Sequence, residues 1–452
     1  IFFRSLFVFY LRAPMLPSTP APFGPGTPSG LVTAAEWTQF QAQLDAHNDQ
    51  RDAMFKSHHK LQQLAGRALF CLHRGDLAQV AELHATFAQI ARAAIDAAQG
   101  RVEIRSIIDG SMESFVSGAV FVHFLAHGRV PAKAAIPLPV TSTEYLSGVC
   151  GFVQELQRYA AARAIQRDVR SVLLCRDVVE AVNARMMQFD FRNSPLRRKY
   201  DGIKYTVKRL QDILYELSLT DFEEAKCLSA DPRPPADADT MTDAEDFEAL
   251  RKETEEYDAT RDAIIKRSRD VTKAAKNAIY ALHRSDHAKA EQLLAEAEKA
   301  AQELLPLVAA DRTLRFGSFA GGLEEYAEAR AFQYFLKTGG IMPLAEMPVL
   351  ELPEYLGGLA DLTGELGRYA VAKATVRDVE AVERCHAIMD ALSGELLMLR
   401  LGGDLYKKTN SIGWNLKKAE TLLYDLMLAT GGRQGGRTED APMPSKGDEG
   451  EA

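Results

Sequence analysis

The segment NDQRDAMFKSHHKLQQLAGRALFCLHRGDLAQVAEL, residues 48–83, is written a second time as DATRDAIIKRSRDVTKAAKNAIYALHRSDHAKAEQL, residues 258–293. Arg51-Asp52 returns as Arg261-Asp262, and Leu72-His73-Arg74 returns as Leu282-His283-Arg284, about 210 residues later. A spacing that long is far beyond a solenoid period and describes two whole domains laid end to end. Further pairs keep the same order: FVHFL (121–125) with FQYFL (332–336), EYLSGVCGFVQELQRYA (144–160) with EYLGGLADLTGELGRYA (354–370), and VKRLQDILYEL (207–217) with LKKAETLLYDL (416–426). A chain of 452 residues is long enough for each copy to bury its own core.

Within each copy the apolar residues recur at helical spacing, as in LAQVAELHATFAQIARAAI and LQDILYELSL. Alternating β-branched runs bounded by Asn-Gly or Asp-Gly turns are missing. The expected fold class is all-α, two tandem homologous antiparallel helical bundles. TSTEYL offers Ser or Thr as an N-cap before Glu144, and PEYL puts Pro353 near a helix start. The expected domains are 34–227 and 244–431, joined by a flexible acidic Pro/Ala-rich linker at 228–243. Residues 1–33 and 432–452 are rich in Pro, Gly, Ser or polar residues and are expected to be disordered. The opening IFFRSLFVFYLRAPM lacks an initiating Met, so Met15 is a candidate start and the stretch is set aside from the fold.

The net charge of -8 argues against a surface coated in positive charge for duplex binding, so any nucleic-acid site must be local. Five scattered cysteines with no C-x-x-C pair indicate neither a disulfide framework nor a zinc site. They fit a reducing compartment: the cytoplasm is expected, with the nucleus as an open alternative. No apolar run of about 20 residues is present, so no membrane partner is expected.

Duplication supplies an internal control for function. In the second copy, GLEEYAEA carries Glu324, Glu325 and Glu328; set against SMESFVSGA of the first copy, Glu324 matches Glu113, but Glu325 and Glu328 fall on Ser114 and Ser117. Asp361 falls on Gly151, while Glu365 keeps its counterpart Glu155. A merely solvated helix face would leave a similar scatter of charge in both copies. On helices, Glu325 and Glu328 share one face, as do Asp361 and Glu365, so two packed helices can bring the acids together. Such a cluster repels itself unless a cation neutralises it, and hard oxygen donors suit Mg²⁺ or Mn²⁺. The chemistry this pattern serves is metal-assisted phosphodiester hydrolysis. A solvated helix start whose acids meet the helix dipole is the competing reading.

At these residues the chain resembles the translin family. EYLSGVCGFVQELQRYA with SPLRRKYDGIKYTVKRLQDILYELSL is similar to translin, and GLEEYAEARAFQYFLKTG with EYLGGLADLTGELGRYA is similar to its partner, translin-associated factor X. The resemblance implies about seven helices per domain, a hollow octameric shell, and a first domain that binds single-stranded RNA and DNA. It also implies a Mg²⁺-dependent endoribonuclease in the second, of the kind that removes passenger strands in RNA silencing and trims tRNA fragments. The family's E-Y-x-E glutamates fall on Glu325 and Glu328, and its D-L-x-x-E-L acids fall on Asp361 and Glu365. These four are the expected catalytic and metal-binding residues. The family's mixed assembly holds its two subunits in unequal numbers, whereas this chain fixes them at one to one, so four chains would supply eight domains. The alternative function is a non-catalytic scaffold that binds single-stranded RNA or DNA.

Arg312 and Arg315, just before the acidic helix, and Arg101 and Arg105 at the matching place are the expected RNA contacts. The basic stretch LRRKYDGIKYTVKR is read equally well as a phosphate-binding or a solvated face. His73 and His283 are expected to be structural, because nothing in the sequence puts them near the acids. Tyr145, Tyr355, Tyr215 and Tyr424 are expected in cores or interfaces, and Gly321-Gly322 is expected to break the chain before a helix.

Overall fold

A computed structural model describes residues 33–220 and 236–434. Among the described residues all regular structure is helical. Six long helices build the first half: α1 (Ala34–Arg74), α2 (Leu77–Ala97), α3 (Asp109–His127), α4 (Ser142–Ile165), α5 (Val169–Met186) and α6 (Pro195–Ser218). Six more follow in the same order: α7 (Ala244–His283), α8 (His287–Ala310), α9 (Ser318–Thr338), α10 (Leu352–Thr375), α11 (Val379–Met398) and α12 (Gly403–Gln434). A one-turn helix, Val102–Arg105, makes seven in the first half, and a 3₁₀ turn, Arg312–Arg315, stands at that place in the second. No helix among the described residues is long and apolar enough to cross a membrane.

The helix starts follow from side-chain chemistry. Thr141 caps α4 in a reciprocal box with Glu144, and Glu351 with Glu354 does the same for α10, where Pro353 sits in the first turn. Gly321 and Gly322, expected before a helix, lie inside α9; Gly322 sits there because a Cβ would come within 3.2 Å of the Ser268 carbonyl oxygen on α7. In both halves the third and fourth helices of the set cross at very close range. A Cβ on Gly148 would meet Val116 Cβ at 2.5 Å, and one on Gly358 would meet Ala327 Cβ at 2.4 Å and the Glu328 nitrogen at 2.8 Å. Only glycine permits that approach.

Each half has its own apolar core, yet each core is completed by the other half. Trp37 and Phe40 of α1 are buried in the second core, where Phe40 packs edge-on against Tyr355 at 5.9 Å. Phe247 and Leu250 of α7 are buried in the first core, where Phe247 meets Tyr145 at 6.3 Å. The long first helix of each bundle therefore spans both, and the exchange is reciprocal. Ion pairs repeat it: Arg400 reaches Asp49 and Asp52 on α1, while Arg192 reaches Asp262 on α7.

Part of the expected linker is ordered. Residues 228–235 lie outside the described residues, but Ala238–Met241 forms one helical turn docked on the first half. The Val130 N–H donates to the Met241 carbonyl at 2.9 Å, and Arg185 reaches Asp239 and the Thr242 hydroxyl. Residues 1–32 and 435–452, which hold nearly all of the two terminal stretches expected to be disordered, also lie outside the described residues.

Candidate active site

Two consecutive turns of α9 carry Glu324, Glu325 and Glu328, and one face of α10 carries Asp361 and Glu365. The glycine crossing at Gly357-Gly358 sets these faces against each other: a Cβ on Gly357 would meet the Glu324 carboxyl carbon at 2.8 Å. Glu328 shows that the acids converge. Burial raises its carboxyl to about 8, and the charges of Glu365, Asp361 and Glu325 push in the same direction, with Lys408 offsetting part of the rise.

The other acids are already matched with cations. Lys408 of α12 donates to Glu324 at 2.6 Å and to Asp361 at 2.5 Å. Lys276 of α7 pairs with Glu325 at 2.9 Å, and that bond raises its ammonium. Glu365 lies 2.5 Å from His283 Nε2 and 3.2 Å from Arg368. Glu328 alone of the four expected ligands has no ion pair or hydrogen bond among the described residues. No three His, Cys, Asp or Glu side chains among the described residues stand at metal-coordinating spacing. The acids are thus gathered in one place, all but Glu328 already bonded to lysine, histidine or arginine. In donor chemistry, oxygen ligands on two facing helices, they fit a hard divalent cation.

Comparison of the halves separates shared structure from what the second half adds. His73 bonds Glu155 at 2.5 Å as His283 bonds Glu365, and Lys199 pairs with Glu113 as Lys408 pairs with Glu324. Both pairs belong to the scaffold. Glu325, Glu328 and Asp361 are new, at positions held by Ser114, Ser117 and Gly151. Positions 117 and 151 are neighbours in space, since a Cβ on Gly151 would touch the Ser117 hydroxyl at 3.4 Å.

Several sequence expectations change. His283 does reach the acids, against the reading that placed it apart from them; the signal was that His73/His283 and Glu155/Glu365 are duplicated together. Lys408 and Lys276 were missed, because a helix-face lysine carries no spacing signature. Arg315 is buried, its guanidinium bound to Glu354 at 2.8 and 3.0 Å and to the Val349 carbonyl, and Arg105 holds Asp109 and Glu144. These two brace the starts of α10 and α4 rather than face a nucleic acid. Arg312 and Arg101 are exposed, bonded to Glu351 and Gln50. In the basic stretch, Arg197, Lys199 and Arg209 are paired with Asp201, Glu113 and Glu216. Tyr145 and Tyr355 are core residues, but Tyr215 and Tyr424 are exposed, because their helices turn that face outward from a single chain.

The model of the Translin family matches residues 49–221 and 259–429, one span in each half, and the chain belongs to the Translin family. It is 32% identical to Translin of Gallus gallus over 76 residues, 17% of this chain and 33% of that protein. It therefore spans about a third of the length of the translins it matches. It is 27% identical to Translin-associated protein X of Mus musculus over 225 residues, 40% of this chain and 78% of that one. Among solved structures it is similar to apo-NeC3PO, with 23% identity, a TM-score of 0.38, and coverage of 40% of this chain and 96% of that one.

Proposed function

We propose that the chain is a divalent-cation-dependent endoribonuclease acting on single-stranded RNA, built into a translin-type assembly of several copies of itself. The observation that carries this reading is Glu328: a carboxylate raised to about 8 by burial and by three neighbouring carboxylates, with no cation partner of its own. Such self-repulsion costs stability and is retained where charge is used. In the first half Asp109 is also raised, to about 7, by burial and by Glu144, but there Arg105 pairs with it at 2.8 Å; the unpaired carboxylate lies in the half whose sequence resembles the catalytic partner.

Glu325, Glu328 and Asp361 are the residues that would hold Mg²⁺ or Mn²⁺, with Glu365 orienting the group through His283. The chemistry such a cation supplies is polarisation of a phosphodiester and acidification of a water molecule. The protein's own part is to hold the acids on two rigid helices locked by the glycine crossing. Arg312 and Arg101, exposed on matching turns of the two halves, would steer the strand. The first half, lacking the added acids, would bind RNA or single-stranded DNA and build the shell. Passenger-strand removal and tRNA-fragment trimming in the cytoplasm, and in the nucleus if the chain enters it, are the processes this activity would serve.

The pairing of four of the five acids with lysine, histidine or arginine favours a second reading, a binding scaffold whose acids are permanently neutralised. Cleavage of a labelled single-stranded RNA by the purified chain separates the two. The nuclease predicts cleavage with Mg²⁺ that is abolished by EDTA and by Glu325→Ala/Glu328→Ala; salt-sensitive binding without cleavage establishes the scaffold.

A further inference from the structure

We propose that Lys408 is a built-in counter-cation of the acid cluster, which an incoming divalent cation must displace from Asp361 while the lysine stays on Glu324. The inference rests on the reading of the cluster as a cation site and assigns the residue that sets its affinity. Lys408 bridges the two helices, 2.6 Å from Glu324 and 2.5 Å from Asp361, with only about a quarter of its side chain exposed. It is therefore placed to hold the added acid Asp361 beside the shared acid Glu324 when no cation is present.

The first half shows what the displaced state looks like. There Gly151 stands in place of Asp361, and Lys199 is bonded to Glu113 as its one acid across the helices. A lysine with a single carboxylate partner is thus a stable arrangement in this fold. When Asp361 turns to a cation, Lys408 is left as Lys199 already is. Until then the lysine competes directly for Asp361, and after it the two positive charges repel across a few ångströms, so the bridge lowers cation affinity twice over.

The test is direct Mn²⁺ binding by the EDTA-stripped full-length chain, followed by the electron paramagnetic resonance of free Mn²⁺, with thermal unfolding in EDTA measured alongside. Lys408→Met is expected to bind Mn²⁺ roughly tenfold tighter than the parent while melting lower without metal. Lys199→Met, which breaks the matching bridge in the other half, is expected to leave affinity unchanged. Should Lys408→Met fail to fold, Lys408→Gln, whose amide still donates to Glu324, carries the same expectation. Equal or weaker Mn²⁺ binding by the Lys408 variants overturns the inference while leaving the cation site standing. No Mn²⁺ binding by parent or variants overturns the site itself and the inference with it.

Discussion

Replacing Glu328 with glutamine keeps the shape of the side chain and removes the one carboxylate of the cluster that has no ion pair or hydrogen bond among the described residues. In the folded chain its carboxyl is raised to about 8 from an ordinary 4.5, so the folded state holds a proton that the unfolded state releases. The stability this confers is present in full below the unfolded value and is lost as pH rises through about 8. The shift corresponds to ~5 kcal/mol when fully expressed, and partial exposure brings the usable figure to about 2–4 kcal/mol. Because each core is completed by the other half, the unfolding unit is the whole of roughly 390 residues, for which that is a difference in Tm of about 2–5 °C. Thermal unfolding of both proteins in EDTA from pH 5 to 9 reads it: the parent should fall steadily relative to Glu328→Gln across this window, so that the variant is the more stable above pH 8. Adding Mn²⁺ should then raise the parent and leave the variant nearly unmoved. Parallel pH curves for the two proteins would refute the view that burial and neighbouring carboxylates hold a proton on Glu328.

Gly358→Ala places a methyl group against Ala327 and the α9 backbone, and should destabilise by about 3 kcal/mol or more, measured by urea unfolding; Gly148→Ala should cost a similar amount. His283→Ala and His73→Ala each strip a carboxylate of its imidazole and should lower stability alike, by about 1–3 kcal/mol, but only the first should change Mn²⁺ affinity. Phe40→Ala, although on the first helix, should destabilise the second half by about 3–5 kcal/mol, visible as earlier hydrogen exchange around Tyr355.

The repeat made the fold legible. Period, caps and the order of matching segments all pointed to paired helical bundles, and the contrast of Glu328 with Ser117 and of Asp361 with Gly151 pointed to the site. What stayed hidden were contacts between residues remote in the chain. Lys408 lies 47 residues beyond Asp361 and 84 beyond Glu324, and no periodicity marks which helix face meets which. Arginine beside an acidic helix reads as a phosphate contact until Glu354, far along the chain, is seen to claim Arg315. The exchange of helix starts was invisible for a related reason: Trp37 and Phe247 look like ordinary core residues of their own domains, and only the packing shows that each serves the other.

That exchange has a consequence for how such a protein is controlled. Because α1 and α7 each finish the neighbouring bundle, neither half is a separable part, and joining them covalently turns an encounter between two gene products into an event within one molecule, independent of concentration. A cell that assembles such machinery from separate subunits can tune it by making more of one than the other. Here that dial is gone: every molecule carries one acid-rich and one acid-poor half, in a ratio that the chain itself fixes.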